Sequence, residues 1–446
     1  MVRLATPIAL AEVGWMTMGI ADTIVVGHLP NSAAAIGAVS LGSIVFYTVG
    51  IFGSGLLLGL DTMVSQAFGA RRLDECHHSL ANSLWFCLPL APVLMAVLWG
   101  TLPLLEHGGI DRAVLKEAVP YLKALIWSTP PLLVYFALRR YLQGMNLTRP
   151  VTFALVTANV VNIVGNVAFV FGRWGAPALG TQGSGWATCV SRCYLAAVLA
   201  GFAGWHSWRY RTGLFGIDWR PDFGRIGALV RLGLPAASQI GLETAVFAVA
   251  AFLIGRLGAV PLAGHQIAMT TVSFTYMVPL GIGSAAAVRV GQALGRRDPE
   301  GAKHAGWVAL GLGAGFMSLS AAVLLLFPER IALFFSVDPA VIRMGARLVA
   351  IAAFFQIFDG LQVVATGALR GAGDTHTAMF CHLIGYWGFG LPLGWALCFP
   401  ARFGASGLWA GLSAAIIAIG AALLTLWRKK SARFALAQDT PSVALD

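Results

Sequence analysis

Ser65-Gln-Ala-Phe-Gly-Ala-Arg71 and Gly291-Gln-Ala-Leu-Gly-Arg-Arg297 are two versions of one phrase, and each closes a long apolar segment. A second pair, Leu142-Gln-Gly-Met-Asn-Leu-Thr148 and Leu369-Arg-Gly-Ala-Gly-Asp-Thr375, recurs at almost the same offset, about 226 or 227 residues. Pro7, Gly27 and Leu29 align more weakly with Pro235, Gly255 and Leu257 at about that shift. Three landmarks in one order at nearly one spacing describe a chain built by duplicating a unit of roughly half its length. In a membrane protein, such a duplication points to two lobes with a pathway between them.

Composition places the chain in a membrane. Apolar residues make up 58% of its 446 residues and charged residues only 11%, against about 25% charged in ordinary soluble domains. Mean hydropathy is +0.77. The 53 glycines suit close packing of membrane helices. A net charge of +11 does not mark a nucleic-acid partner, because Lys and Arg fall in short clusters between apolar spans instead of lining one face. The six cysteines show no CxxC spacing, and all but Cys76 fall in apolar spans, so packing is their expected role. Met1-Val-Arg-Leu4 runs directly into the first span, unlike a removable signal peptide.

Predominantly apolar stretches of about 20 residues read as membrane helices. Twelve are expected, near 4–27, 34–62, 79–103, 121–143, 151–172, 184–205, 229–255, 261–290, 305–327, 343–368, 377–399 and 405–427. Assigning alternate loops to opposite sides gathers roughly 20 of the 30 basic residues on one side, among them Arg71, Arg72, Arg139, Arg140, Arg149, Arg209, Arg211, Arg296, Arg297 and the Arg428-Lys-Lys430 tail. The positive-inside rule makes that side cytoplasmic, with both termini inside. The expected organisation is an N-terminal lobe over 1–205, a cytoplasmic linker over 206–228, a C-terminal lobe over 229–430 and a cytoplasmic tail over 431–446. Six spans per half make the repeats parallel, related by an axis along the membrane normal.

Acidic groups inside the spans carry the chemistry. Insertion scales put the cost of a central carboxylate at about 2.5–3.5 kcal/mol, so such groups face a cavity or a partner. Glu243 lies mid-span in Gln239-Ile-Gly-Leu-Glu-Thr-Ala-Val-Phe247, and Asp359 in Phe354-Phe-Gln-Ile-Phe-Asp-Gly-Leu-Gln362. Carboxylates of this kind can hold a proton, a sodium ion or a cationic substrate, but not all at once, which is a physical basis for antiport. Asp22, in Gly19-Ile-Ala-Asp-Thr-Ile-Val25, either binds an ion in the first lobe or caps a kink near Gly19. Asp61 falls near the cytoplasmic face, where hinge or gate hydrogen bonding is expected, and Glu12 reads as structural. Asn159, Asn162 and Asn166 share one helical face at i, i+3 and i+7, as cavity lining or as interhelical bonds. Gln266 and Gln362 are expected to line the second lobe.

Other signals carry no function. In Asp74-Glu-Cys-His-His78 consecutive side chains diverge, so a solvated loop is expected there and not a metal site. Gly311-Leu-Gly-Ala-Gly315 and Gly367-Ala-Leu-Arg-Gly371 allow close helix approach and read as packing. Asn146-Leu-Thr148 matches a glycosylation sequon on the expected cytoplasmic side. No Walker loop, HExxH or GxSxG occurs, which weighs against ATP-driven transport and hydrolytic chemistry. A lone two-lobed chain also lacks the ring of equivalent subunits typical of channels.

Four segments resemble the multidrug and toxic compound extrusion (MATE) family, in its NorM-like branch. They are Leu60-Asp-Thr-Met-Val-Ser-Gln-Ala-Phe-Gly-Ala70, Ala263-Gly-His-Gln-Ile-Ala268, Val288-Arg-Val-Gly-Gln-Ala-Leu-Gly295 and Gly367-Ala-Leu-Arg-Gly-Ala-Gly-Asp-Thr375. The resemblance spans almost the whole chain. It implies an all-α integral membrane protein of twelve transmembrane helices in two pseudo-symmetric six-helix lobes, V-shaped. It also implies export of cationic and amphipathic compounds from the cytoplasm across the inner membrane, in exchange for Na+ or H+. Glu243 is similar to the family's acidic position in the seventh helix, Asp359 to that in the tenth and Asp22 to that in the first. The Asn162 and Asn166 region is similar to the polar patch of the fifth helix. Asp61 departs from the NorM pattern and looks more like the eukaryotic-type signature.

The expected function is therefore a secondary multidrug antiporter acting as a monomer, with no cofactor and no metal beyond Na+ at Glu243 and Asp359. The alternative is a flippase or exporter of a lipid-linked or specific endogenous metabolite. Phosphate cargo calls for an Arg- and Lys-rich cavity, and the spans hold few such residues, Arg192 and Arg289 being exceptions.

Overall fold

The computed structural model describes residues 1–107 and 110–436. Residues 437–446 of the expected tail lie outside the described residues; 431–436 form the end of the last helix. Among the described residues the chain is helical throughout, with no strand. It divides into two compact units, Leu10–Ala237 and Met1–Ala9 with Ser238–Asp446.

The first unit contains most of α1 (Val2–Val26), then α2 (Ser32–Leu56), α3 (Gly59–Gly69), α4 (Leu73–His107), α5 (Arg112–Ile126), α6 (Thr129–Gly144), α7 (Arg149–Phe171), α8 (Thr181–Tyr210) and the start of α9 (Phe223–Gly255). Local chemistry sets the ends. Asp111 caps α5 by accepting from the Ala113 and Val114 amides. Pro130 and Pro131 open α6, and α5 and α6 meet at a bend of 49°. Gly172, at φ +70°, closes α7 in the left-handed region, where a side chain would be strained. α7 packs on α8, and α5 and α6 also lean on α8.

The second unit contains α10 (Ala259–Gly295), α11 (Pro299–Leu326), α12 (Pro328–Phe335), α13 (Pro339–Gly371), α14 (His376–His382), a π-helical segment Leu383–Gly390, α15 (Leu391–Cys398) and α16 (Gly404–Leu436). Asp298 and Asp338 cap α11 and α13, each followed by Pro at the first helical position. α10, α11 and α16 pack around α13. Ten helices are long and apolar enough to cross a membrane, and the bent α5–α6 pair makes an eleventh, among the described residues. The remaining expected span, 377–399, is the run from α14 to α15, whose helix is widened into π geometry at its centre. Pro392 has no amide to give and its ring crowds the carbonyl four residues back; the Leu391 amide reaches Tyr386 O instead.

Glycines bring α10 and α13 into backbone contact. A Cβ at Gly367 would lie 2.1 Å from Gly283 O, and one at Gly371 2.3 Å from Ala287 O. The expected packing role therefore falls on Gly367 and Gly371. It does not fall on Gly311 and Gly315, which have nothing within 4 Å; Gly313 between them meets Val364. Gly367→Ala should lower stability by about 1–3 kcal/mol through overpacking, while Gly311→Ala should be near neutral. Thermal unfolding of the two purified variants in one detergent measures the difference, and equal midpoints would contradict this contact.

Two charged features differ from the reading of the sequence. Arg139 and Arg140, counted among the cytoplasmic loop cations, are buried on α6. Arg139 donates to Glu12 of α1, and Arg140 meets Asp61 of α3 at 3.5 Å. Each Arg follows an apolar stretch of α6 and finds its acid only when α1 and α3 pack against it. Asp61, expected near the cytoplasmic face, is 1% exposed. Asp74–His78 is the first turn of α4 and not a loop. His77 there is buried, with Nε2 donating to Thr212 O and Nδ1 accepting from the Tyr141 hydroxyl, each at 2.8 Å.

Candidate functional site

In the unit Leu10–Ala237, three helices converge on one carboxylate. α1 supplies Asp22, which is 4% exposed. Its Oδ1 accepts from Asn166 Nδ2 of α7 at 2.7 Å, and its Oδ2 from Thr188 Oγ1 of α8 at 2.8 Å. Asn162, one turn before Asn166, donates to Thr188 Oγ1 at 3.4 Å and receives Asn166 Nδ2 on its main-chain oxygen at 2.9 Å. Asn162 Oδ1 and Asn166 Oδ1 are buried and accept no hydrogen bond among the described residues. Buried oxygens without donors are costly in a membrane interior. Asp22, Asn162 and Asn166 are thus brought together, and Asp22 bonds across to α7 and α8 instead of capping a kink. Asn159 is not part of this group: it donates to Gly14 O of α1 at 3.0 Å and to Leu155 O at 2.9 Å. The 3.6-residue period alone could not separate it, because all three amides share the inward face of α7 and only the position of Asp22 on α1 selects two.

In the other unit, the second cluster is built on α13. Asp359 is 4% exposed and Gln362 fully buried. Gln362 Nε2 bridges Asp359 Oδ1 at 3.0 Å and the Tyr386 hydroxyl at 3.2 Å. Asp359 Oδ2 and Gln362 Oε1 are buried oxygens with no donor among the described residues. Glu243, half-buried on α9, shares an electrostatic field with Asp359, and both act on Tyr386. One turn before Glu243, Gln239 lies 3.4 Å from His382 Nε2. His382 Nδ1 donates to Ala378 O at 2.8 Å, which leaves Nε2 as an acceptor for the Gln239 amide. Trp387 Nε1 donates to Leu242 O at 3.1 Å, tying the π segment to α9. Gln266 does not join this cluster; it is exposed on α10.

Sequence reading missed Thr188, Tyr386 and His382. Thr188 had a signal, since Ser184, Thr188 and Arg192 recur every four residues within an apolar span. Tyr386 and His382 had none, because each meets its partner, Gln362 or Gln239, on another helix. Among the described residues, no set of three His, Cys, Asp or Glu is arranged to hold a resident metal ion.

These observations define a duplicated helical membrane protein with one buried acid cluster in each half. A family model described as MatE matches residues 7–168 and again 235–396, and the chain belongs to that family. The two matches reproduce the duplication read from the repeated phrases. The probable multidrug resistance protein NorM of Mesorhizobium japonicum is 36% identical over 434 residues, covering 96% of this chain and 92% of that protein. The multidrug resistance protein NorM of Burkholderia vietnamiensis is 37% identical over 446 residues, covering 96% and 92%. Among solved structures, a MATE protein in the bent conformation superposes with a TM-score of 0.86 at 18% identity, covering 98% of this chain and 96% of that one. The eukaryotic MATE transporter AtDTX14 gives 0.84 at 22% identity, covering 98% and 97%. The fold is the twelve-helix, two-lobed MATE fold.

Proposed function

We propose that this chain is a secondary active multidrug antiporter of a bacterial inner membrane, with both termini cytoplasmic, exporting small cationic or amphipathic organic molecules in exchange for Na+ or H+ by alternating access. The observation that carries the reading is the pair Glu243 and Asp359. Two carboxylates lie in the membrane-spanning part of one unit, and neither has a Lys or Arg within ion-pair distance among the described residues. Removing a carboxylate from water without a counter-charge is expensive. The positive charge must come from outside, as a proton, a sodium ion or a cationic cargo, and not all of them at once. Asp359 Oδ2 and Gln362 Oε1 supply hard oxygen acceptors for such a cation.

Asp22 supports a second, separate cation position. Its carboxylate stands beside two further orphan oxygens, on Asn162 and Asn166. Loading these acids from an inward gradient favours release of cargo outside. One charge crossing 100 mV provides about 2.3 kcal/mol, and one pH unit about 1.4 kcal/mol. A single coupled cation therefore sustains a ratio of tens to hundreds for a neutral cargo.

Proteoliposomes test the proposal. With Na+ and pH gradients imposed separately, at least one should drive uptake of ethidium, and Asp22→Asn should uncouple that uptake from the gradient while ethidium binding persists. Equal transport in the presence and absence of both gradients would overturn the antiport reading.

A further inference from the structure

Arg192 is a fully buried cation in the middle of a membrane span, and the functions assigned so far do not use it. Ser184, Thr188 and Arg192 are all buried on one face of α8 at four-residue spacing. Thr188 holds Asp22, so the guanidinium follows one turn beyond the Asp22 cluster. Arg192 is 2% exposed. Its Nη1 donates to Ser128 Oγ at 2.5 Å, and its centre stands 4.5 Å from the Phe46 ring and 5.8 Å from the Trp15 ring. No carboxylate lies within ion-pair distance of it among the described residues. The acid whose field it shares is Asp22; Tyr47, Tyr121 and Cys189 share that field as neutral groups.

A guanidinium is charged at every accessible pH. Stacking on aromatic faces holds it without neutralising it. The result is a fixed positive charge set near, but not on, a carboxylate. The other unit offers a contrast, because among the described residues Glu243 and Asp359 have no Lys or Arg within ion-pair distance.

We infer that Arg192 is a fixed counter-charge that weakens the hold of the Asp22 cluster on its coupling cation, so that the cation can leave on each cycle. The inference rests on the reading of Asp22 as a cation position. With Asp22 ionised and alone, Asp22 and Arg192 sum to zero; adding a cation leaves one net positive charge in a medium of low dielectric. Without Arg192 the same addition takes the site from minus one to zero, which is far more favourable. Arg192 is thus a positioning residue for the exchange. It acts through Asp22 and does not touch the cation.

The test reads the direction of an affinity change, which structural damage would not reproduce. Proteoliposomes carrying the full chain, Arg192→Gln or Arg192→Lys are loaded to exchange ethidium against graded Na+ or graded H+. In Arg192→Gln the driving-cation concentration at half-maximal exchange should fall by roughly tenfold or more, as expected for removing a unit charge several ångströms away at an effective dielectric of about 20. The maximal rate should fall with it, because release is slowed. Arg192→Lys keeps the charge and should stay within about threefold of the parent. A half-saturating concentration that is unchanged or raised in Arg192→Gln overturns the proposal. If Asp22→Asn exchanges like the parent, the reading of Asp22 as a cation position fails, and this proposal fails with it.

Discussion

Cells lacking their own efflux pumps and expressing Asp359→Asn should accumulate ethidium to nearly the level of cells without the protein, although the variant inserts and folds. Asn keeps the size of the side chain and can still meet the Gln362 amide through its oxygen. It cannot carry the negative charge. A hydrogen bond or ion contact made to a charged group is worth about 1.5–3 kcal/mol, so losing it weakens a bound cation by roughly ten- to a hundredfold. The same argument covers Glu243→Gln, because Asp359 acts on Glu243 and both acids act on Tyr386. Tyr386→Phe is milder in expectation, since it removes one bond to Gln362 and no charge. Efflux is measured as initial dye extrusion per unit of protein in the membrane fraction. Wild-type extrusion by both acid variants at equal membrane content would remove the carboxylate pair from the mechanism.

The largest stability effect is expected at the other end of the charge inventory. Arg139→Ala strips Glu12 of its partner in a buried site, where the Arg is 1% and the Glu 9% exposed. Breaking such a pair from one side costs about 3–5 kcal/mol, because the remaining charge is left uncompensated. Arg139→Ala should therefore sharply lower the thermal midpoint in detergent and the yield of monodisperse protein. The double variant Glu12→Gln with Arg139→Met removes both charges at similar volume and should recover most of the loss. Trp15, stacked on Tyr135 at 5.8 Å, lies one turn from Glu12, so its fluorescence reports whether the local packing survives. A double variant as unstable as Arg139→Ala would show that volume, and not unpaired charge, governs the site.

The two clusters explain why part of the site was readable in advance. A carboxylate inside an apolar span is rare for a single physical reason, its solvation cost, and that reason operates on the primary sequence. Asp22, Glu243 and Asp359 all pass that test. The same test ranks Glu12 and Asp61 equally, because sequence cannot show that each meets an Arg from α6. The positive-inside rule counts Arg139 and Arg140 as loop charges for the same reason: proximity to a span end looks identical whether the side chain turns outward or inward. The amides are a further case. Asn159, Asn162 and Asn166 obey one period, but only two of them face Asp22.

What the sequence determined by itself was the membrane setting, the duplication, the helical spans and the rare acids within them, because hydropathy, repeat spacing and solvation cost are local or one-dimensional properties. Among the described residues, helix packing pairs Glu12 and Asp61 with arginine and leaves Glu243 and Asp359 with no Lys or Arg within ion-pair distance. It also places Tyr386, in the π segment, against Gln362, and Arg192 one turn beyond the Thr188 that holds Asp22. Those outcomes depend on which helix faces meet, and the meeting of faces is set by glycine contacts and side-chain packing between segments far apart in the chain.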